Sequence, residues 1–281
     1  MDVKKTVAAL AFGAILAIAV SPAAAQDKWS KIRIATEGAY APWNATAPSG
    51  ELIGFEVDLA RELCRKMNAE CQILAQDWDG IIPALQQGKY DVIMAGMSIT
   101  DERKQVIDFA GPYGSEPTAF ATIKGSALAG MTFDLKGVDL ATVEPQEQQI
   151  LDALAKALEG KTVGVQTSTI QANFMERLLP QVRMRTYGTL DEAGIDLVNG
   201  RLDAMLGDRS AAQEIVKKEE SLTMFGPNFV RGVLGEGVGA GLRQRDQDLK
   251  AKLNAAIAEA NGDGTIARLS EQWFGYDISV K

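Results

Sequence analysis

Histidine is absent from this chain of 281 residues. Its absence excludes Ser-His-Asp and Cys-His catalysis, together with every metal site that depends on an imidazole ligand. Cysteine occurs only as Cys64 and Cys71, and two thiolates alone make a poor zinc site. We therefore expect no bound metal and no enzyme of those classes.

Positive charge is also scarce. Lysine and arginine number 29 against 37 acidic residues, which gives a formal net charge of -8. A chain with this charge is a poor partner for nucleic acid and for anionic membranes. An acidic surface suits a cationic ligand, although ordinary solubility accounts for such a surface as well.

Long apolar runs are missing after the first 25 residues. Those residues begin with a short charged start, continue through an apolar stretch from Val7 to Val20, and end in three alanines. This order predicts a secretory signal peptide at residues 1–25 that is cleaved after Ala25. The alternative is a membrane anchor, for which the apolar run is short. We therefore expect an exported, soluble mature protein.

The two cysteines fit an exported protein. Cys64 falls late in a predicted amphipathic helix, and Cys71 opens the strand that follows. The chain can fold back between them and bring the sulfur atoms together. Because a disulfide is the default for such a pair outside the cytoplasm, we predict a bond between Cys64 and Cys71.

Predicted strands and helices alternate along the chain. Short strand-like runs at Lys31–Thr36, Cys71–Leu74 and Val92–Ala95 are separated by helical segments, and Lys161–Val165 begins a second series. This alternation is typical of parallel sheets with crossover helices. We therefore predict an α/β fold.

An internal repeat indicates two lobes. Gly200–Gly207 repeats the form of Gly88–Ala95, with a glycine, a basic residue, an apolar residue, an aspartate and a buried strand. Chance similarity between two α/β units is the alternative explanation. Because the second lobe is complete before the tail begins, we expect the tail to return to the first lobe, and a two-strand hinge then permits closure on a ligand. The predicted organisation is lobe one at 26–115 and 232–281, and lobe two at 116–231 with a surface insertion at about 124–160.

Two stretches resemble nucleotide-binding motifs only in part. The tripeptide GKT at 160–162 ends like a P-loop, but residue 155 is alanine where the motif needs glycine. The glycine-rich run at 237–241 does not lie between a strand and a helix, as a dinucleotide site requires. We therefore expect no nucleotide and no other cofactor.

The carboxyl ends of the predicted strands identify candidate binding residues, because ligands of open α/β sheets bind there. Lobe one contributes Glu37, Tyr40, Trp78, Ala95, Gly96, Ser98 and Arg103, and lobe two contributes Gln166, Ser168, Thr169, Ile170, Gln171 and Asp208.

Some of these residues match the two charged groups of an amino acid. Arg103, together with the free amide groups of the helix start near Thr169, can hold a carboxylate. Asp208 and Ser98 can hold an ammonium group. Taken singly, Arg103 is also compatible with an ion pair on a helix surface.

Other candidates match the side chain of such a ligand. Tyr40 and Trp78 can stack on a long or cationic group, and Glu37 can meet a positive charge at its far end. Trp78 is also compatible with plain packing. Considered together, the candidates describe an α-amino-acid site.

Six stretches resemble a known protein family. The resemblance is to the polar amino-acid periplasmic binding proteins of ABC transporters, family 3, and most closely to the branch that binds lysine, arginine, ornithine, histidine and the opines octopine and nopaline. It implies a two-lobe type II periplasmic binding protein fold, a monomer in the periplasm, and delivery of the ligand to the permease subunits of an ABC importer. The stretches are EGAYAPW, GFEVDLARELCRKMNAEC, WDGIIPAL, KYDVIMAGMSITDER, GRLDAMLGDRSAA and DGTIARLSEQWFGYD.

The resemblance also implies roles for individual residues. The carboxylate-binding arginine of the family matches Arg103, its ammonium-binding acid matches Asp208, and its stacking tyrosine matches Tyr40. The cysteine pair of the family matches Cys64 and Cys71, which supports the predicted disulfide.

Several positions depart from the usual lysine, arginine and histidine binders. Those proteins have serines at the positions of Ala95 and Gly96, an aliphatic residue at Trp78 and an aspartate at Glu37. Glu37, Trp78, Gln166 and the segment at 124–160 are more similar to the opine binders, whereas Asp208 is typical of the amino-acid binders. The expected ligand is therefore arginine or a relative, or an arginine-derived opine.

Two other functions stay open. An exported lyase resembling the periplasmic cyclohexadienyl dehydratases needs a spare acid in the cleft, which Glu37 could supply. Asp208 with Arg103 suits an intact amino acid better, so we expect a binding protein and not an enzyme. A protein that presents its ligand to a receptor cannot be distinguished from a transport component on these residues.

Overall fold

The computed structural model describes residues 28–280. The predicted signal peptide therefore lies outside the described residues. Between residues 28 and 280, no helix combines the length and the apolar character that crossing a membrane requires.

Strands and helices alternate through most of the described chain. The strands are β1 (Lys31–Thr36), β2 (Ala39–Tyr40), β3 (Asn44–Thr46), β4 (Leu52–Ile53), β5 (Glu70–Ala75), β6 (Val92–Ile93), β7 (Asp108–Gly114), β8 (Thr118–Ile123), β9 (Gly137–Asp139), β10 (Thr162–Gln166), β11 (Arg183–Tyr187), β12 (Ala204–Asp208), β13 (Leu222–Val230) and β14 (Val238–Leu242). The helices are α1 (Phe55–Lys66), α2 (Ile81–Gln86), α3 (Asp101–Lys104), α4 (Pro145–Ala157), α5 (Ile170–Leu178), α6 (Leu190–Val198), α7 (Arg209–Lys218), α8 (Gln247–Gly262) and α9 (Thr265–Phe274), with a short 3-10 helix at Gly232–Leu234.

The first large sheet has the strand order β5-β1-β6-β14-β7. Strand β1 pairs in parallel with β5 and β6, with Ile32 opposite Cys71 and Ile34 opposite Val92. Strand β14, from the last fifth of the chain, pairs antiparallel with β6 and β7. The tail therefore lies in the same sheet as the first strands, which supports the proposed lobe one.

The second large sheet has the order β11-β10-β12-β8-β13-β9. Strand β10 pairs in parallel with β11 and β12, and β8 pairs antiparallel with β12 and β13. Both large sheets thus combine parallel strands with antiparallel neighbours, and helices flank them, as predicted for a two-lobe α/β fold. A small sheet of β2, β3 and β4 follows β1. The lobe limits near residues 115 and 231 stay a proposal, which the sheet memberships support.

The segment at 124–160 adds to the second sheet. Strand β9 forms its edge by pairing with β13. Helix α4 begins with a capping box, in which Glu147 accepts a hydrogen bond from the Glu144 amide at 2.9 Å. Its apolar face buries Ile150, Leu151 and Leu154, so the segment also packs against the hydrophobic core.

Helix α1 packs against strands β1 and β5 of the first large sheet. Its inner face buries Phe55, Leu59 and Leu63, and fully burying such a side chain contributes roughly 1.5–3 kcal/mol. The disulfide between Cys64 in α1 and Cys71 in β5 is present, with the two Cα atoms 6.1 Å apart. The predicted disulfide is thereby confirmed.

Candidate functional site

The strand ends of the two large sheets meet at one cavity. It is lined by Tyr40, Trp78, Ala95, Gly96, Ser98, Arg103, Gln166, Thr169, Ile170, Gln171 and Asp208. Of the residues that the sequence predicts for the site, only Glu37 and Ser168 are not part of this lining, and both hydrogen-bond to residues that are. Parallel strands bring their carboxyl ends to the same edge of a sheet, which explains why residues distant in sequence converge here.

Arg103 lies on the short helix α3, which begins after the loop that follows strand β6. Thr100 caps this helix, because its hydroxyl accepts a hydrogen bond from the Arg103 amide at 3.2 Å. The guanidinium donates to the Ser98 carbonyl at 2.9 Å and to the Ser168 carbonyl at 3.3 Å, and its Cζ lies 5.3 Å from the centre of the Trp78 ring. A guanidinium has five N–H groups, so further donors remain for a carboxylate.

The charge of Arg103 persists at neutral pH. Burial lowers the pKa of its guanidinium to about 10, against the opposing influence of Asp208 and Glu102. A pKa of this size leaves the group cationic at pH 7. Because this cation is desolvated, its attraction for an anion is stronger than that of an exposed arginine.

The second sheet contributes a helix start beside Arg103. Thr169 caps α5 by accepting a hydrogen bond from the Ala172 amide at 3.2 Å. Ser168 has a positive φ of 56°, an uncommon conformation for a residue other than glycine, and its carbonyl accepts the bond from Arg103. The amide groups and the dipole of a helix start favour an anion, so Arg103 and α5 are both suited to the same carboxylate.

Asp208 ends strand β12, and its carboxylate is buried. One oxygen accepts a hydrogen bond from the Gln171 amide group at 2.8 Å, while the Asp208 backbone amide donates to the Tyr40 hydroxyl at 3.2 Å. Burial, and secondarily the charge of Glu116, raise the pKa of Asp208 to about 8. A positively charged group beside Asp208 would favour its ionised form.

Glu37 follows strand β1 and bonds across the cleft. One of its oxygens accepts a hydrogen bond from Gln166 at 2.6 Å, and Gln166 also donates to the Gly188 carbonyl at 3.0 Å. Burial raises the pKa of Glu37 to about 7, although the bond from Gln166 opposes the rise, and the charges of Asp191, Glu56 and Asp77 add to it. This end of the cleft is therefore acidic and suited to a cation.

Direct contacts between the two sheets' loops hold the cleft closed. The Trp78 indole donates a hydrogen bond to the Thr167 carbonyl at 2.9 Å, in addition to the Glu37–Gln166 bond. The free volume between the lining residues is only about 20 Å³, which is room for about one water molecule. A ligand of amino-acid size therefore enters only when the two sides separate.

The chain crosses between the two large sheets twice, at residues 115–117 and at residues 230–238. A larger cavity adjoins the cleft beside these two crossings. Its volume is about 1030 Å³, and it shares Ser98 and Asp208 with the smaller cavity. Glu116 and the second crossing, residues 230–238, form part of its wall. Space is therefore available next to the buried Asp208 carboxylate.

Two acids near the site, the buried Glu56 and the half-buried Glu116, are absent from the residues predicted from the sequence. Glu56 on α1 accepts hydrogen bonds from the Gly96 amide at 2.8 Å, from Asn44 at 2.9 Å and from the Tyr113 hydroxyl. Glu116 lines the larger cavity together with Asp208, and its charge adds to the rise in the pKa of Asp208. In the sequence, Glu56 stands next to the apolar Phe55, and this neighbour was the one available sign that its carboxylate would be buried. The residues around Glu116 gave no such sign.

Comparison with known proteins gives a consistent result. The sequence profile described as bacterial extracellular solute-binding proteins, family 3, matches residues 32–276. An octopine-binding periplasmic protein of Rhizobium meliloti is 40% identical over 95% of this chain and 97% of its own length. An L-arginine-binding protein of Pseudomonas aeruginosa is 33% identical over 94% of each.

Solved structures agree with these sequences. One is a periplasmic His/Glu/Gln/Arg/opine family-binding protein from Silicibacter pomeroyi, crystallised in complex with lysine. It superposes with a TM-score of 0.72 at 35% identity, over 89% of this chain and 100% of its own.

Proposed function

The chain belongs to the bacterial extracellular solute-binding proteins of family 3, and we propose that it is the periplasmic binding component of an ABC importer. In this role it closes on a basic amino acid or an arginine-derived opine and delivers the ligand to the permease. The observation that carries the proposal is that Arg103, on helix α3 beside the first large sheet, and Asp208, at the end of β12 in the second, line one cavity. They complement the carboxylate and the ammonium group of a single amino acid.

The charges of the cleft favour a ligand with a net positive charge. Two buried carboxylates, Glu37 and Asp208, stand against one guanidinium, Arg103. The buried Glu56 is left out of this balance, because three donors of the protein already engage its carboxylate. A zwitterionic amino acid with a neutral side chain would pair its carboxylate with Arg103 and its ammonium group with Asp208. Glu37 would then have no cation to pair with. A basic amino acid supplies that third charge, which makes arginine, lysine and ornithine the preferred ligands.

An opine is the second candidate, and the larger cavity favours it. An arginine-derived opine carries a carboxyalkyl arm on its α-nitrogen, and that nitrogen would lie at Asp208, where the larger cavity begins. The rim of that cavity includes Arg177 and Arg231, but also Asp101, Glu102 and Glu236. Since the acids outnumber the arginines, we expect an opine with an anionic arm to bind more weakly than the basic amino acid that lacks this arm.

We propose binding without catalysis. The relatives are described as binding proteins, and Glu37, the acid that a lyase would need, is engaged by Gln166. Mass spectrometry after prolonged incubation tests this point. The bound amino acid should be recovered unchanged, and a cyclohexadienyl carboxylic acid should not be converted; turnover of either would contradict the proposal.

The proposed location and partners follow from the same family. The mature protein begins after residue 25 and acts as a periplasmic monomer. Amino-terminal sequencing of protein from the periplasmic fraction tests the cleavage site, and light scattering tests the monomer.

Titration calorimetry tests the ligand. We expect L-arginine, L-lysine or L-ornithine to bind most tightly, octopine and nopaline more weakly, and L-glutamate not at all. If no basic amino acid or opine in this set binds with a Kd below about 100 μM, roughly -5.5 kcal/mol, the proposed ligand class is wrong. Tighter binding of L-glutamate would likewise contradict the charge argument.

A further inference from the structure

Asp208 occupies the N-cap position of helix α7 without capping it. Aspartate is favoured at this position because its side-chain oxygen accepts a hydrogen bond from the amide of the second or third helical residue. Within residues 28–280, the Asp208 side chain makes no such bond to α7. Its carboxylate instead accepts from Gln171 on α5 and lines the cleft.

Glu116 provides the bond that Asp208 does not make. One oxygen of its carboxylate accepts a hydrogen bond from the amide of Ser210, the second residue of α7, at 3.0 Å. The other oxygen accepts from the Tyr276 hydroxyl at 2.6 Å, and Arg209 donates to the same hydroxyl at 3.3 Å. Both oxygens of Glu116 are therefore engaged, and the start of α7 has a cap from outside the helix.

We propose that Glu116 is a positioning residue that caps α7 in place of Asp208 and thereby keeps the Asp208 carboxylate turned toward the ligand. The inference rests on the proposed function, in which Asp208 meets the ammonium group. Capping requires the Asp208 side chain to fold back over its own helix, whereas ligand binding requires it to face Gln171. One rotamer excludes the other, so the cap from Glu116 removes the competing arrangement.

The charge of Glu116 acts in the same direction. It lies close enough to Asp208 to be the second cause, after burial, of the raised pKa of that group. Two carboxylates near one position attract an ammonium group more strongly than Asp208 alone. The two hydrogen bonds to Glu116 and the nearby Arg209 oppose the effect of burial on its own pKa.

Two variants distinguish the capping hydrogen bond of Glu116 from the charge of its side chain. Glu116→Ala removes the acceptor for Ser210, and Asp208 is then free to cap α7 itself. An N-cap bond favours the rotamer in which Asp208 caps α7 by about a factor of ten. The fraction of protein in which Asp208 faces the ligand therefore falls, and the Kd for L-arginine rises about tenfold. Glu116→Gln keeps an oxygen for Ser210, so we expect a Kd within about threefold of wild type.

Glu70→Ala is the matched control for loss of a carboxylate outside the site. Glu70 is exposed at the start of β5, pairs with Lys31, and its removal should leave the Kd for L-arginine unchanged. If Glu116→Ala binds L-arginine within twofold of wild type, or if Glu116→Gln loses as much as Glu116→Ala, the positioning role is wrong.

A thermal-unfolding cycle without ligand tests the exchange of caps directly. In the wild-type background, Asp208 takes over the cap in Glu116→Ala, so the fall in Tm is small. In an Asp208→Ala background no replacement side chain stands at the N-cap, and the same substitution lowers Tm at least twice as far. Equal falls in both backgrounds would overturn the inference, and because no ligand is used, this result is independent of the proposed function.

Discussion

The affinity for a basic amino acid should depend steeply on pH between 6 and 8. The pKa of Asp208 is raised to about 8 and that of Glu37 to about 7, in both cases mainly by burial. Binding a cation requires the ionised form of each carboxyl group. The ligand therefore lowers both pKa values and releases protons, so affinity rises with pH until both groups are ionised without it.

The size of the effect follows from the two pKa values. At pH 7 the ionisation of Asp208 costs about 1.4 kcal/mol and that of Glu37 about 0.4 kcal/mol. From pH 8 to pH 6 the combined cost rises by roughly 3.5 kcal/mol, which is a few hundredfold in Kd. About 1.4 protons should leave per ligand bound at pH 7.

Calorimetry with L-arginine in two buffers of different ionisation enthalpy measures both quantities. The Kd should fall continuously from pH 6 to pH 8, and the binding enthalpy should differ between buffers in proportion to the protons released. In Asp208→Asn the release at pH 7 should fall to about 0.5 protons, the share of Glu37. A Kd that is constant over this range, or an enthalpy independent of the buffer, would refute the assignment of these two carboxylates to the ligand's cationic groups.

Three further changes test other parts of the site and fold. Arg103→Ala removes the half-buried partner of the ligand carboxylate and should raise the Kd for L-arginine about a hundredfold in calorimetry. Arg61→Ala, on the exposed face of α1, should leave the Kd unchanged, and equal effects of the two substitutions would contradict the assignment. Asp208→Asn removes a carboxyl group whose folded pKa of about 8 exceeds its unfolded value, and the ligand-free wild type therefore loses stability from about pH 4 to pH 8. The Tm of this variant should exceed that of wild type at pH 8 and approach it at pH 4, and a lower Tm at pH 8 would be inconsistent with a desolvated carboxylate. Cys64→Ser removes the disulfide, whose cysteines are separated by 7 in sequence, and should lower the free energy of unfolding measured in urea by about 2.5 kcal/mol. Reduced wild type should lose the same amount. If neither protein loses stability, the disulfide does not stabilise the fold.

The strands that lead into the two crossings were missed by the sequence-based prediction. Strands β7 and β13 each contain a Gly-Pro dipeptide, which is typical of turns. Proline is tolerated in sheets at bulges, and the pairing of β13 with β8 shifts register between Phe225 and Phe229. The pairing of β14 with β7 shifts between Val238 and Ala240. Local pattern cannot show these pairings, because they depend on neighbouring strands distant in sequence.

The predicted strand ends identified the residues that line the site, but they did not identify the hydrogen bonds behind it. Arg103, Asp208 and their neighbours were identified because the edge at which parallel strands end is a property of topology. Glu56 and Glu116 were not identified, because their partners Gly96 and Ser210 lie 40 and 94 residues away in the chain. An isolated acid in the sequence does not reveal whether it will be buried or which amide it will accept a bond from.

Residue type and local order were enough to exclude histidine chemistry and to predict the α/β alternation, the disulfide and the charged groups at the strand ends. The folded chain was needed to show that the Asp208 carboxylate faces Gln171 instead of its own helix, that Glu116 accepts the bond from the start of α7, and that the pKa values of Glu37 and Asp208 are about 7 and 8. Burial, rotamer and pKa are set by all the atoms around a group. Those atoms come from segments that meet only in the folded chain.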